Sequence, residues 1–177
     1  VFDGQYGSKD TLDIRDGANN LLLSNIEVRH SGRDCIDIKG PSNVTIEDSL
    51  IHHCLNWDGD RVDAHGIAAG NAANLTLRNT EIHTFSGDGI QIDPDRLEPP
   101  WDDLLIEDCL IWLEPLRESS NGFPAGTVPG ENAFDSKTWD DSPERLNVTI
   151  RRTSAYGFRN GLISNMAAFN IKESVNV

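Results

Sequence analysis

Basic residues are scarce in this chain. Fifteen Lys and Arg stand against 29 Asp and Glu, a formal net charge of −14 over 177 residues. Such a surface repels phosphate backbones and anionic lipid headgroups, which excludes nucleic acid and an anionic membrane surface as direct partners. An acidic polymer remains possible through a bridging cation. Long apolar runs are also missing, so nothing reads as a bilayer span, and no segment has the pattern of a signal peptide. Cysteine is sparse: Cys35, Cys54 and Cys109 are an odd count without metal-ligand spacing, and they read as small buried thiols. The chain opens on "VFDGQ", without an initiator Met, and closes on "ESVNV", which reads as mid-strand. A mature form or an excerpt of a longer protein is therefore expected, with more chain continuing past residue 177.

What is present is a repeat. Short strands "TLDI" (11–14), "CIDI" (35–38), "GIAA" (66–69), "GIQI" (89–92), "AFDS" (133–136) and "GLIS" (161–164) align with one another. All but the last are followed by a second strand: "LLLSN", "VTIED", "LTLRN", "LLIED" and "VTIRR". A third follows directly: "IEVRH", "SLIHH", "TEIHT", "CLIWL" and "TSAYG". Three short strands per turn, each with apolar residues at alternate positions, predict an all-β chain coiled as a parallel β-helix of about six coils over 1–177. Each coil buries its apolar side chains only by stacking on its neighbours. Asn25, Asp48, Asn79 and Asp108 separate second from third strands, where a tight corner needs a left-handed residue that Asn and Asp tolerate best. A leucine-rich repeat would need a fixed Leu framework and an Asn or Cys column, both missing.

Residues in excess of the minimal coil fall at about 55–64, 94–103, 114–132 and 138–147, all flanking the first strands. These inserts hold seven of the eight prolines, and Trp57, Trp101 and Trp139 of the four tryptophans. They predict loops that wall a groove floored by the first-strand sheet. Strand alternation gives the floor two outward columns. The first runs Asp13, Asp37, Ala68, Gln91, Asp135 and Ile163; the second runs Arg15, Lys39, Gly70, Asp93, Lys137 and Asn165. Asp10, Asp34, His65, Asp88, Asn132 and Asn160 stand at the strand entrances. Coils lie about 4.8 Å apart, so side chains of adjacent coils can share a cation or a sugar. His65, Gln91 and Arg96, with Trp57, Trp101 and Trp139 as stacking faces, are the candidate sugar contacts.

The repeats, with "GENAFDSK" (130–137) and "NMAAFNIKE" (165–173), resemble the pectin-lyase-like right-handed β-helix superfamily, and within it uncharacterised secreted repeat proteins. The resemblance spans nearly the whole chain. It implies right-handedness, activity on carbohydrate and a secreted, periplasmic or cell-surface location. Pectate lyases of that superfamily use calcium held by aspartates and a Lys or Arg base. Calcium wants several hard oxygens, and Asp37, Asp93, Asp58, Asp60 and Asp63 are the candidate ligands. Lys137, then Lys39, is the candidate base, with Asp135 beside it, for β-elimination of a uronate polymer.

Similarity to polygalacturonases is motif by motif. Asp10 in "SKDTLDI", Asp34 in "RDCIDIK" and His65 in "AHGIAAG" match that family's pattern. Arg33 replaces one member of its aspartate pair, and "QID" (91–93) replaces its basic pair. Inverting hydrolysis needs both carboxyls, so a diverged hydrolase is the alternative, and a non-catalytic polysaccharide-binding or adhesin β-helix is another. "IDPDR" (92–96) is only weakly similar to the mannuronan epimerase pattern. His52 and His83 share an outward column with Arg29, Trp112 and Tyr156, which reads first as a solvated ladder. The sequons at Asn43, Asn74 and Asn147 read as part of the strand-start repeat.

Overall fold

A computed structural model describes residues 1–70, 72–92, 102–137, 146–159, 161–163 and 167–172, with backbone only for Asp102 and Leu146. It is a right-handed parallel β-helix, and the described residues contain no helix. The first-strand sheet contains Leu12–Ile14, Ile36–Lys39, Ile67–Gly70, Ile90–Ile92, Phe134–Ser136 and Phe169–Asn170, paired in parallel. The second-strand sheet contains Leu21–Ser24, Ser42–Glu47, Ala73–Arg78, Asp102–Glu107 and Leu146–Arg151. The third contains Phe2–Asp3, Glu27–Ser31, Leu50–Cys54, Glu81–Phe85, Leu110–Trp112 and Ser154–Tyr156.

The apolar repeat makes the core. Ile36, Ile67, Ile90 and Phe134 stand in register on the first sheet, Val44, Leu75 and Leu104 on the second, and Ile51, Ile82 and Ile111 on the third. All are buried, and each contributes roughly 1.5–3 kcal/mol of apolar burial. The expected corner residues Asn25, Asp48, Asn79 and Asp108 are left-handed, with φ between 45° and 55°. A second left-handed column at the second-strand starts is Asn20, Asn43, Asn74, Asp103 and Asn147. There Asn43 Nδ2 donates to Asn20 Oδ1 and Asn74 Nδ2 to Asn43 Oδ1, both at 3.0 Å. The sequon residues Asn43 and Asn74 thus belong to an amide ladder along the axis, and Asn147 Nδ2 donates to the Asp103 carboxylate at 2.9 Å.

Two expectations need correction. The sixth first strand is Phe169–Asn170, paired with Phe134 and Asp135, and not 161–164. The left-handed Gly157 turns the chain out of the third strand, and Leu162 donates its N–H to Val128 O in the insert, so 161–163 belong to the connection. Lys172 therefore follows the first strand where Asn165 was expected. The second correction concerns the cysteines. Cys35 and Cys54 form a disulfide that closes one coil, with Cα atoms 5.5 Å apart, while Cys109 is a free, buried thiol whose pKa burial raises.

The insert after Cys54 forms an antiparallel hairpin, Asn56–Trp57 with Arg61–Val62. It packs on the 114–132 insert through a small second core of Leu55, Leu116 and Phe123, with Trp57 and Tyr6 against it. Both inserts join a third strand to the next first strand, so they wall the entrance edge of the first-strand sheet.

Candidate functional site: the floor of the first-strand sheet

The floor columns form as the alternation requires. Asp13, Asp37, Ala68, Gln91 and Asp135 are in register, and Asn170 closes the column. Asp37 is 2% exposed and Asp135 1%, so both carboxylates lie beneath the cations above them. Arg15 Nη2 donates to Asp37 Oδ2 at 2.9 Å and also pairs with Asp13, while Lys39 Nζ stands 3.6 Å from the same Asp37 oxygen. At the other end, Asp135 receives Lys137 at 3.1 Å and Lys172 at 2.9 Å. Between the two clusters, Ala68 and Gly70 present almost no side chain. Among the described residues, the Ala68–Gly70 coil is therefore a flat neutral step, and a pair of cations held on a buried carboxylate stands toward each end of the floor.

The protonation of these cations follows from their partners. Burial pulls the Lys137 ammonium down, but the hydrogen bond to Asp135 and the fields of Asp88, Asp135 and Glu131 outweigh it, and its pKa is raised. Arg15 is raised in the same way, with burial opposed by Asp37 and Asp13. Lys137 thus rests as an ammonium, whereas a lysine that serves as a base needs its pKa lowered.

The entrance column has a structural task. Asp34 N–H donates to Asp10 Oδ1 at 3.2 Å, His65 N–H to Asp34 Oδ1 at 2.7 Å, and Asp88 N–H to His65 Nδ1 at 2.8 Å. Asn132 N–H then donates to Asp88 Oδ1 at 3.2 Å, and Ala167 N–H to Asn132 Oδ1 at 2.9 Å. Each side chain accepts the backbone N–H of the next coil, an unbroken ladder through six coils. The positions that match the hydrolase pattern are rungs of this ladder. His65 Nδ1 spends its lone pair there, which fixes the Nε2–H tautomer. Burial raises the carboxyl pKa of Asp10, Asp34 and Asp88. Gln91 is also tied in, donating Nε2 to Asp88 Oδ2 at 3.0 Å.

The other expected residues divide. Trp57 sits edge-on to Phe123, 4.9 Å between ring centroids, and pins its hairpin to the neighbouring insert. Asp60 and Asp63 serve Arg61: Asp60 Oδ1 accepts its N–H at 2.8 Å, and Asp63 pairs with its guanidinium at 2.7 Å. Arg61 also reaches Glu131, which links the two inserts, and Asp58 N–H donates to Asp60 O. Asp93, Arg96, Trp101 and Trp139 lie outside the described residues.

Among the described residues, the acidic group at ligand spacing is Asp10, Asp13 and Asp37, whose oxygens lie within 4.8 Å of one another. These three carboxylates already face three cations. Arg33 lies 3.4 Å from Asp10, Arg15 bridges Asp13 and Asp37, and Lys39 stands beside Asp37. Asp37 Oδ1 is the buried oxygen of the group that accepts no hydrogen bond. A calcium ion needs six to eight oxygens and here would have to displace two guanidiniums, so this donor set does not fit a resident calcium. Lys172 is the floor residue that sequence reasoning missed. Its signal is the alternation of "FNIK", which "GLIS" imitates seven residues earlier in register.

Comparison of the sequence with known proteins finds one family. The model of the family described as "Right handed beta helix region" matches residues 5–111, more than half of the chain. No curated protein and no solved structure matches it.

Proposed function

The chain belongs to the right-handed β-helix family, whose members fit carbohydrate-active proteins generally, and from that premise we propose that its first-strand sheet binds an acidic polysaccharide. The observation that carries this reading is the charge pattern of the floor. In a chain of net charge −14, Arg15 with Lys39 and Lys137 with Lys172 collect at the two ends of one flat strip. Buried Asp37 and Asp135 hold these cations in place, which reduces the side-chain ordering that binding would otherwise require. Uronate carboxylates would meet Lys137 and Lys172, two cations on one carboxylate, and at the other end Lys39 and Arg15, whose charges Asp37 and Asp13 balance; the small residues Ala68 and Gly70 leave room for a sugar ring between. Lys39 and Lys137 stand three coils apart, about 14 Å at the spacing of parallel strands, so the ligand is an oligomer. The Cys35–Cys54 disulfide supports an oxidising, secreted or periplasmic setting.

Binding without turnover is favoured over β-elimination. The lyase reading asks Lys137 for a lone pair, and its pairing with Asp135 keeps that lone pair protonated. The test is a titration of polygalacturonate, alginate and chondroitin oligosaccharides, each with calcium and with chelator, beside a neutral glucan. Calorimetry reports binding, and ultraviolet absorbance reports the unsaturated uronate that elimination would release. Binding of the acidic oligomers alone is expected, weakened at least about tenfold in the Lys39→Ala, Lys172→Ala double variant. Equal affinity for the neutral glucan, or full affinity in that variant, would refute the reading. Absorbance that grows with time would reinstate elimination, and dependence on calcium would reinstate the metal.

A further inference from the structure

Four of the five histidines in the chain lie on one patch of the outer face of the third-strand sheet, away from the floor. Arg29, His52, His83, Trp112 and Tyr156 form the expected column. His52 stacks on His83 at 5.0 Å and His83 on Trp112 at 4.3 Å. His30 and His53 occupy the next position, where both residues are left-handed, with φ of 52° and 56°. That backbone conformation matters, because neighbours along an extended strand point to opposite faces. The left-handed turn at His53 brings its ring round beside His52, and the two Nδ1 atoms come to 2.6 Å. Glu27 Oε1 lies 3.1 Å from His52 Nε2. This carboxylate, which also accepts from Arg29, accepts a hydrogen bond from the His52 Nε2–H and leaves the Nδ1 lone pair directed at His53.

We propose that His52 and His53 form a bis-imidazole site for a divalent transition-metal ion, bound through the two Nδ1 atoms. Glu27 stands behind it as the outer carboxylate that orients a metal-binding histidine. In the metal-free form the pair is joined by a hydrogen bond from His53 Nδ1–H to His52 Nδ1. On binding, His53 shifts its proton to Nε2, so two neutral imidazoles become ligands and no proton need be released. At metal–nitrogen distances of 2.0–2.1 Å, tetrahedral ligands sit about 3.3 Å apart, so the rings part by about 0.7 Å, a small rotation about their side-chain bonds. Burial, with the neighbouring imidazoles, pulls the His53 pKa down to about 4. A cavity of ≈350 Å³, also lined by Glu114 and Glu118, opens beside His53 and His83, so the site is reached from the His53 side. Imidazole nitrogen selects copper, nickel and zinc over calcium or magnesium.

The experiment titrates Cu²⁺ and Zn²⁺ into the whole chain, with calorimetry for both and electron paramagnetic resonance for Cu²⁺. One equivalent of each metal is expected, with Cu²⁺ the tighter, and the copper spectrum should show coupling to two imidazole nitrogens. His53→Asn, which keeps a residue suited to the left-handed corner, and His52→Gln should each weaken binding at least tenfold. Glu27→Gln should weaken it by about 10–100-fold. A copper spectrum of the unaltered protein with fewer than two imidazole nitrogens would overturn the proposal whether or not the variants fold. So would His53→Asn with an unchanged isotherm.

Discussion

Replacing Asp88 tests whether the entrance column is a ladder or a catalytic relic. Asp88 is 1% exposed and accepts three hydrogen bonds: from Asn132 N–H at 3.2 Å, Asn132 Nδ2 at 2.7 Å and Gln91 Nε2 at 3.0 Å. Truncation to Ala strands all three donors in a buried place, at about 1–3 kcal/mol for each donor left unsatisfied. The backbone N–H cannot turn away, whereas the two amides can partly reorient, so the loss comes to about 4 kcal/mol. Removing a carboxylate whose ionisation burial opposes returns about 1 kcal/mol. The net is a destabilisation of about 3 kcal/mol, or a fall in Tm of about 6–12 °C at this chain size. Asp88→Asn keeps an acceptor oxygen toward Asn132 and should stay within about 1 kcal/mol of the parent. Urea unfolding followed by far-ultraviolet circular dichroism measures the difference. Native-state hydrogen exchange at the Asn132 amide localises it, which matters because coils can unfold separately. An Ala variant within 1 kcal/mol of the parent would refute the ladder. An Asn variant as damaged as the Ala variant would show that the charge, and not the acceptor, is what the fold requires.

Three further outcomes follow from the same geometry. Asp34→Asn should leave thermal stability and polysaccharide binding unchanged, since an amide oxygen still accepts the His65 N–H; loss of a measured hydrolytic activity would instead identify Asp34 as an acid. Gly66→Ala would place a methyl 2.5 Å from Gly89 O and from Ile82 Cγ2, an overpacking that should cost about 1–3 kcal/mol; a Tm unchanged within 1 °C would contradict that close approach of coils. Acidification should weaken the third-strand sheet, because burial holds His53 at about 4 and His83 at about 3 while unfolded imidazoles titrate near 6.5. The unfolded chain binds those protons first, so this stability is complete above about pH 6.5 and is lost as pH falls toward 4. His53→Asn should flatten that slope relative to the parent, and parallel slopes would remove the assignment.

The coil was legible because its requirement is simple and repeated: an apolar side chain inward at every second position. Ile36, Ile67 and Ile90 meet it with the same residue, and Asn25, Asp48, Asn79 and Asp108 mark the corner with the two residue types that tolerate it. The sixth first strand was not legible, because "GLIS" and "AFNI" offer the same alternation. Only the pairing of Phe169 with Phe134 and the bond from Ala167 N–H to Asn132 distinguish them. The disulfide was hidden for a related reason. Cys35 and Cys54 stand 19 residues apart, and only the path of the coil, from the start of a first strand to the end of the third, returns them to one another. His53 was masked by its own neighbour, since strand alternation places it inward until a left-handed corner turns it out.

The two polar columns differ in what they require, and this explains why motif matching leads toward hydrolysis while the geometry leads elsewhere. The entrance column needs an acceptor at each coil to receive the next N–H. It is filled in turn by Asp10, Asp34, His65, Asp88 and Asn132, groups of different charge that share only a lone pair. Such a column yields Asp and His in family-like places whether or not chemistry is performed there. The floor column has no backbone donor to satisfy, so its side chains are chosen on other grounds. Asp37 and Asp135 are nevertheless buried and charged, and each costs free energy unless it is paired. Their pairing with Arg15, Lys39, Lys137 and Lys172 does not bind coil to coil through the backbone; it holds cations at the surface of the groove. A fold needing only stability would have been served as well by the neutral pattern of Ala68 and Gly70. The departure from that pattern at both ends of the floor is the observation on which the proposed anionic ligand rests.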